Sequence, residues 1–259
     1  MIREQNLQDT QSPPLVIPDV SRCPSIHFFN VDCIEFMKSK PDKCYDLAIV
    51  DPPYGLNIAK TGSIGTDKFT PKNWDETIPN NEYFEQLFRV SKNQIIWGGN
   101  YFPFIWSNGC RGYIVWNKLN HHDNRADVEM AWTSFNKLAK YVEYMWDGNR
   151  YGTKGNIKGV GQPTIRIHPT QKPVFLYQWI LLNYADKGMK ILDTHGGSMT
   201  IAKACEIEGF DFINSMQSTL KKLIEGQRLT SGITNGGCGG VLMFGVSFML
   251  LCNLISLYS

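Results

Sequence analysis

Residues 190–215 read KILDTHGGSMTIAKACEIEGFDFINS. An apolar run closes on Asp193, a turn carries Gly196 and Gly197, helical spacing runs from about Thr200, and FDFINS follows as another apolar run. A strand, a glycine turn, a helix and a strand in so few residues argue for a parallel α/β sheet. The turn has two readings. It is a plain strand-to-helix connection, or glycines let backbone N–H groups approach a ligand at the positive end of a helix. It falls short of a full G-x-G-x-x-G pattern.

Working outward, the same alternation recurs. SIHFFNVDCIEFMKS reads as a strand and a helix, with Asp32 as N-cap before Cys33, Phe36 and Met37. CYDLAIV is an apolar run ending at Asp51, as expected of a strand buried on both faces. NEYFEQLFRVS predicts a helix turning Tyr83, Phe84, Leu87, Phe88 and Val90 inwards. NQIIWGG, GYIVWNK and DVEMAWTSF are three more strand candidates. KPVFLYQWILLNYADKG predicts a helix with Pro173 in its first turn and Gly188 as its stop. Residues 56–80 read as a long loop, and the five glycines between 136 and 167 mark irregular, flexible chain. The expectation is one α/β domain over residues 26–229, mostly parallel, with helices on both faces.

Composition sets bounds on what such a domain can do. The 259 residues are 42% hydrophobic and 19% charged, which suits a globular protein with a full core. A net charge of +2 means that any nucleic-acid surface must come from local clustering. Seven scattered cysteines without a C-x-x-C pair predict reduced thiols in a cytoplasmic compartment. His121-His122-Asp123 lacks a partner cluster and reads as a solvated loop, so no metal is expected. Residues 1–25 are polar and Pro-interrupted, without a signal-peptide apolar region, and read as a flexible lead-in. After Arg228 no charge appears, and residues 230–259 form a Gly-rich and apolar tail. Its run of about 18 residues has the length of a membrane span but no basic flank. A buried terminal element, an anchor and an altered chain end all fit, and the last is preferred over a membrane role.

Asp51-Pro52-Pro53-Tyr54 stands at the carboxyl end of a predicted strand, where open α/β sheets gather their ligands. A proline turn with a surface carboxylate is one reading. The other is chemical. An amine on a heteroaromatic ring is a poor nucleophile because its lone pair is delocalised. An Asp51 carboxylate and the Pro52 carbonyl each accept one N–H, which frees that pair. Pro52 and Pro53 fix the carbonyl in place, and Tyr54 offers a ring for stacking.

With DPPYG, IHPTQKP and ILDTHGGSM in that order, the sequence resembles the DNA amino-methyltransferases that use S-adenosylmethionine. Tetrapeptide first and glycine turn later is similar to the permuted beta group of that family. The resemblance spans residues 26–213, and NQIIWGGNYF, IVWNK and EMAWTSF look like its middle segments. It implies a Rossmann-like, S-adenosylmethionine-dependent methyltransferase sheet with permuted motif order. It also implies catalysis by Asp51, Pro52, Pro53 and Tyr54. Asp193, Thr194, His195, Gly196, Gly197 and Ser198 match the cofactor turn, with Thr194 and His195 replacing Pro and Phe. His168, Thr170, Gln171 and Lys172 match the segment beside the cofactor's methionine end, and Thr170 equally suits capping the helix that Pro173 opens.

The expected activity is methyl transfer to adenine N6 in double-stranded DNA, with the target base flipped out of the stack. Cytosine N4, a protein amide and an inactive DNA-binding remnant are the alternatives. Target recognition falls to loops near 56–80 and 136–167. Lys137, Lys140, Arg150, Lys154, Lys158 and Arg166 in the second are candidate phosphate contacts. The sequence departs from the family pattern twice. Met199 replaces the second glycine of the turn, and Met216 stands near the place of an acid that accepts from the ribose hydroxyls.

Overall fold

The computed structural model describes residues 24–56, 75–107, 109–120, 126–146, 150–152, 162–163 and 171–215. Their elements in chain order are β1 (Ile26–Phe29), α1 (Cys33–Lys38), β2 (Tyr45–Val50), α2 (Asn81–Val90), β3 (Ser91–Trp97) and α3 (Pro103–Trp106). Next come β4 (Tyr113–Asn117), β5 (Val128–Thr133), β6 (Lys140–Glu143), β7 (Met145–Trp146), β8 (Arg150–Gly152) and β9 (Gln162–Pro163). The series ends with α4 (Val174–Tyr184), β10 (Lys190–Asp193), α5 (Thr200–Glu208) and β11 (Asp211–Ser215).

Eight strands form one sheet in the order β1-β11-β10-β2-β3-β5-β4-β6. Strands β1, β11, β10, β2 and β3 run parallel, and β5 runs antiparallel to both β3 and β4. Period-2 alternation explains why β2 is apolar throughout. Leu47 and Ile49 pack with Leu176, Ile180, Ile201 and Ala202 of α4 and α5 on one face. Ala48 and Val50 pack with Phe36, Phe84 and Leu87 of α1 and α2 on the other. Asp32 caps α1 as the sequence predicts, and Asn80 caps α2. Asp32 Oδ1 accepts from the backbone of Ile34 and Glu35, and Asn80 Oδ1 accepts from Tyr83.

The structure corrects two expectations. Helix α4 ends at Tyr184, with Ala185 already extended, so Gly188 (φ +88°) serves the following turn. The chain between 136 and 167 is not wholly irregular. The run KYVEYMW places β6 at the edge of the large sheet, and β7, β8 and β9 form a small antiparallel sheet. β-branched and aromatic residues win locally over the glycines that surround them.

The connections place a crevice by topology alone. From β2 the chain winds through α2 to β3; from β10 it winds through α5 to β11, on the opposite side. β2 and β10 are parallel neighbours, with Leu47 facing Ile191 and Ala48 facing Leu192. The strand order therefore reverses between them, and the crevice at their carboxyl ends is the switch point of the fold. The tail, including residues 241–258, lies outside the described residues. Among the described residues no helix is long and apolar enough to cross a membrane.

Candidate functional site

Asp51 directly follows β2, and Asp193 ends β10, so the two motifs open side by side on one sheet edge. Beyond Val50 the chain turns through the buried Pro52. The turn is pinned from outside: Asp75 Oδ1 accepts from Tyr54 N at 2.9 Å and from Gly55 N at 3.0 Å. Tyr54 folds back so that its hydroxyl donates to Asp51 Oδ1 at 2.6 Å. Its ring lies against Gly98, where a Cβ would stand 2.1 Å from Tyr54 Cε1, so only glycine fits there. Tyr101, partly exposed, stacks on Tyr54 with centroids 5.1 Å apart and planes at 18°.

Lys172 completes this half of the site. It enters just before α4, is 4% exposed, and donates to Asp51 Oδ2 at 2.5 Å. Its ammonium stands 3.2 Å from Glu129 Oε2, and Lys118 closes on Glu129 Oε1 at 2.6 Å. Strand direction explains the convergence. β5 is antiparallel, so its first turn of chain brings Glu129 to the edge where β4 ends just before Lys118. Burial alone would raise the Glu129 carboxyl, but the Lys172 and Lys118 ammoniums outweigh it and hold it at about 2. Burial likewise opposes the Lys172 charge, yet Asp51 and Glu129 raise its pKa above the ordinary lysine range. The Glu129 pairing therefore contributes stability above the usual glutamate range, lost as pH falls towards 2.

The second half of the site is the glycine turn. Met199 N donates to Gly196 O at 2.7 Å, closing the turn that starts α5. Met199 itself adopts φ +61°, ψ +18°, a left-handed conformation that costs a side-chain-bearing residue roughly 1 kcal/mol. This is the position at which the sequence departs from the glycine pattern, and the backbone keeps the glycine-like conformation. The thioether folds over the turn: a Cβ on Gly196 would meet Met199 Sδ at 2.8 Å and Asn214 Nδ2 at 2.8 Å. Replacing Met199 by glycine relieves the strain but forfeits a buried side chain worth about 2 kcal/mol. We expect Met199→Gly to lose about 1 kcal/mol of stability in denaturant unfolding while opening the turn to a ligand.

Asp193 accepts from the backbone N–H of His195 at 2.8 Å, and its own carbonyl accepts from Asn214 at 3.1 Å. Burial, with Asp51 nearby, pushes the Asp193 carboxyl up to about 7. Burial also lowers His195 to about 4, so its imidazole stays neutral beside Thr194 and Tyr83. Because folded Asp193 holds its proton more tightly than the unfolded chain, that stabilisation is complete below about 4 and lost as pH rises through about 7. Asp193→Asn keeps the acceptor for His195 and removes the buried charge. Its melting temperature should exceed that of the parent at pH 8, by on the order of 2 kcal/mol in stability, and the gap should close towards pH 5.

The structure thus brings Asp51, Pro52, Pro53, Tyr54 and Lys172 together beside Asp193, Thr194, His195, Gly196, Gly197 and Ser198. Lys172 stands on Asp51, on the tetrapeptide side of the crevice. Gln171 precedes it; His168, Thr170, Lys154, Lys158, Arg166 and Met216 lie outside the described residues. Lys137 and Lys140 are not brought to this edge. Lys137 follows the far end of β5 and donates to Asn183 O near the end of α4, and Lys140 starts β6 opposite Ile114. Arg150 begins β8 of the small sheet, which the Trp146 N–H to Lys118 O bond ties to the site edge. Sequence reasoning missed Asp75, Lys118 and Glu129. A lone glutamate inside the apolar run VEMAW was the one signal for the last.

Residues 100–218 match the DNA methylase family. The type II methyltransferase M.HpaI of Haemophilus parainfluenzae is 24% identical over 210 residues, 68% of this chain. That alignment spans 65% of the relative's own length, less than two thirds of it. PvuII DNA methyltransferase (cytosine-N4-specific) superposes with a TM-score of 0.50 at 13% identity, covering 90% of this chain and 93% of its own. The M1.HpyAVI–SAM complex superposes with a TM-score of 0.48 at 20% identity, covering 78% and 99%. At such identity the PvuII superposition speaks for the fold alone, a mostly parallel α/β sheet. Residues 100–218 are thus similar to the DNA methylase family, and they lie in an α/β sheet.

Proposed function

We propose that the protein is a DNA methyltransferase that transfers a methyl group from S-adenosylmethionine to adenine N6. The observation that carries the reading is the juxtaposition of the Asp51 clamp and the Gly196-Gly197 turn at one switch point. The family match and the methyltransferase named above support it.

The residues present fit a nucleoside-bearing donor. Asn214 Oδ1 and Ser215 Oγ, at the end of β11, are buried without a hydrogen-bond partner among the described residues. They sit where the chain has no acid, and they offer acceptors to hydroxyl or amine groups. No Cβ fits at Gly196, where Asn214 Nδ2 and the flexible Met199 thioether close on the backbone, and a shift of that thioether would open the turn to the donor. Asp193, Gly196, Gly197 and Asn214 would hold the donor, which supplies an electrophilic methyl group when bound.

On the other side, each Asp51 oxygen carries one partner, Tyr54 or Lys172, and retains a lone pair for an incoming N–H. With the Pro52 carbonyl as second acceptor, the amine turns its own lone pair towards the glycine turn. The Tyr101 ring marks the face of Tyr54 that a flipped base would take. Phosphate contacts fall to the basic sequence between 150 and 166, with Arg150 in β8.

Duplex DNA of mixed sequence, incubated with protein and labelled donor and then digested, tests the assignment. N6-methyladenine is the expected product; N4-methylcytosine would transfer the reading to the other exocyclic amine. A second reading, a DNA-binding remnant without turnover, is favoured by the Met199 thioether lying over Gly196. Calorimetry separates the two: the remnant binds no donor, and Met199→Gly recovers donor binding.

A further inference from the structure

We propose that Glu129 is a positioning residue, acting through Lys172 to keep the Asp51 carboxylate aimed while that carboxylate engages its substrate amine. The inference rests on the methyltransferase reading for its kinetic part and on the geometry alone for the rest.

Lys118, Glu129, Lys172, Asp51 and Tyr54 form a continuous chain of charges and hydrogen bonds, with links of 2.6, 3.2, 2.5 and 2.6 Å. Four of the five come from different parts of the sheet edge: the ends of β4 and β2, the start of β5 and the approach to α4. Lys172 Nζ is wedged between the rings of Trp97, 5.1 Å away, and Tyr54, 5.7 Å away. In that apolar slot an ammonium with one counter-charge would face burial largely alone. Asp51 is its first counter-charge, but Asp51 is also the group that must accept from the amine. Sharing Asp51 weakens its hold on Lys172 at the moment the substrate binds. Glu129, whose buried Oε2 has no hydrogen-bond partner among the described residues and stands 3.2 Å from Lys172 Nζ as an ion pair, supplies the second counter-charge. Lys118 in turn fixes the Glu129 carboxylate. Lys172 then stays an ammonium in the slot, and Asp51 Oδ2 keeps its orientation throughout.

The groups facing Lys172 are Asp51 and Tyr54 beyond β2, Lys118 beyond β4 and Glu129 of β5. Tyr177 of α4 and Asp193 of β10 stand behind Asp51. Of these only Glu129 is a negative charge that contacts Lys172 and lies off the reacting path. Its removal leaves Asp51 as the remaining counter-charge against burial and so lowers the Lys172 pKa.

Glu129→Gln should lower kcat about tenfold or more, with KM for donor and for DNA within about twofold of the parent. The alkaline limb of kcat should move to lower pH, and Glu129→Asp should restore much of both. NMR of lysine-labelled protein, with Lys172 assigned from its loss in Lys172→Arg, reads the same link without turnover. Lys172 should titrate above the ordinary lysine range in the parent and lower in Glu129→Gln. An unchanged Lys172 titration, or a Glu129→Gln defect confined to KM, overturns the proposal. Should Glu129→Gln not fold, a parent Lys172 titrating at or below the ordinary range overturns it alone. A parent that transfers no methyl group while Lys172 titrates as expected contradicts the functional reading and leaves the Glu129–Lys172 link standing.

Discussion

Lys172→Met should damage stability strongly. Lys172 is the cation between Asp51 and Glu129, and methionine matches much of its length without its charge. Glu129 keeps Lys118, but Asp51 is left without its counter-charge, and stranding a member of a buried ionic group typically costs about 3–5 kcal/mol. Asp51 and Glu129 keep about a fifth to a quarter of their side-chain surface, so the lower end, about 3 kcal/mol, is expected. For a chain of this size that is a fall of roughly 6–12 °C in melting temperature. The pH dependence is diagnostic. Acidification neutralises the stranded Asp51 carboxylate, so the gap between variant and parent should narrow as pH falls. A uniform loss at every pH would mean that Lys172 contributes packing alone.

Asp51→Ala should have the largest effect on activity with a smaller effect on folding. Lys172 keeps Glu129 as a partner, so no charge is left without a counter-charge, while Tyr54 loses only one acceptor. Methyl transfer, in contrast, loses the carboxylate that accepts from the amine. A positioned acceptor or base of this kind contributes typically about 10²–10⁴-fold, and kcat should fall by that much with donor affinity retained. Measuring kcat beside the donor dissociation constant checks the assignment. A matching fall in donor affinity would place Asp51 in the donor's pocket instead of the base's.

How far such results were legible in advance varies along the chain. Helix α2, strand β2 and the β10-turn-α5 unit follow from apolar spacing and capping residues, because each is a local pattern with a local cause. Their placement beside one another follows from the α/β alternation. The small sheet did not follow: β8 and β9 are three and two residues long, too short for periodicity to register. Nor did the charge chain. Glu129 reaches the site only because β5 runs antiparallel, and strand direction depends on partners far away in sequence. Lys172 could be tied to the crevice by its neighbours, yet which side it takes depends on where α4 meets the sheet. Asp75 pins the tetrapeptide turn from 20 and 21 residues away, beyond the reach of any local motif. Met199 is the opposite case. The sequence marks it as a misfit, and the structure shows a methionine held at φ +61°.

The claim that the two motifs at the switch point form one methyl-transfer site is tested most directly by labelled-methyl incorporation into duplex DNA. Parent, Asp51→Ala and Met199→Gly proteins would be compared at equal folded concentration, with the modified nucleoside identified. The account predicts label in N6-methyladenine with the parent, little or none with Asp51→Ala, and at least parental incorporation with Met199→Gly. Label in DNA that persists unchanged in Asp51→Ala would contradict it.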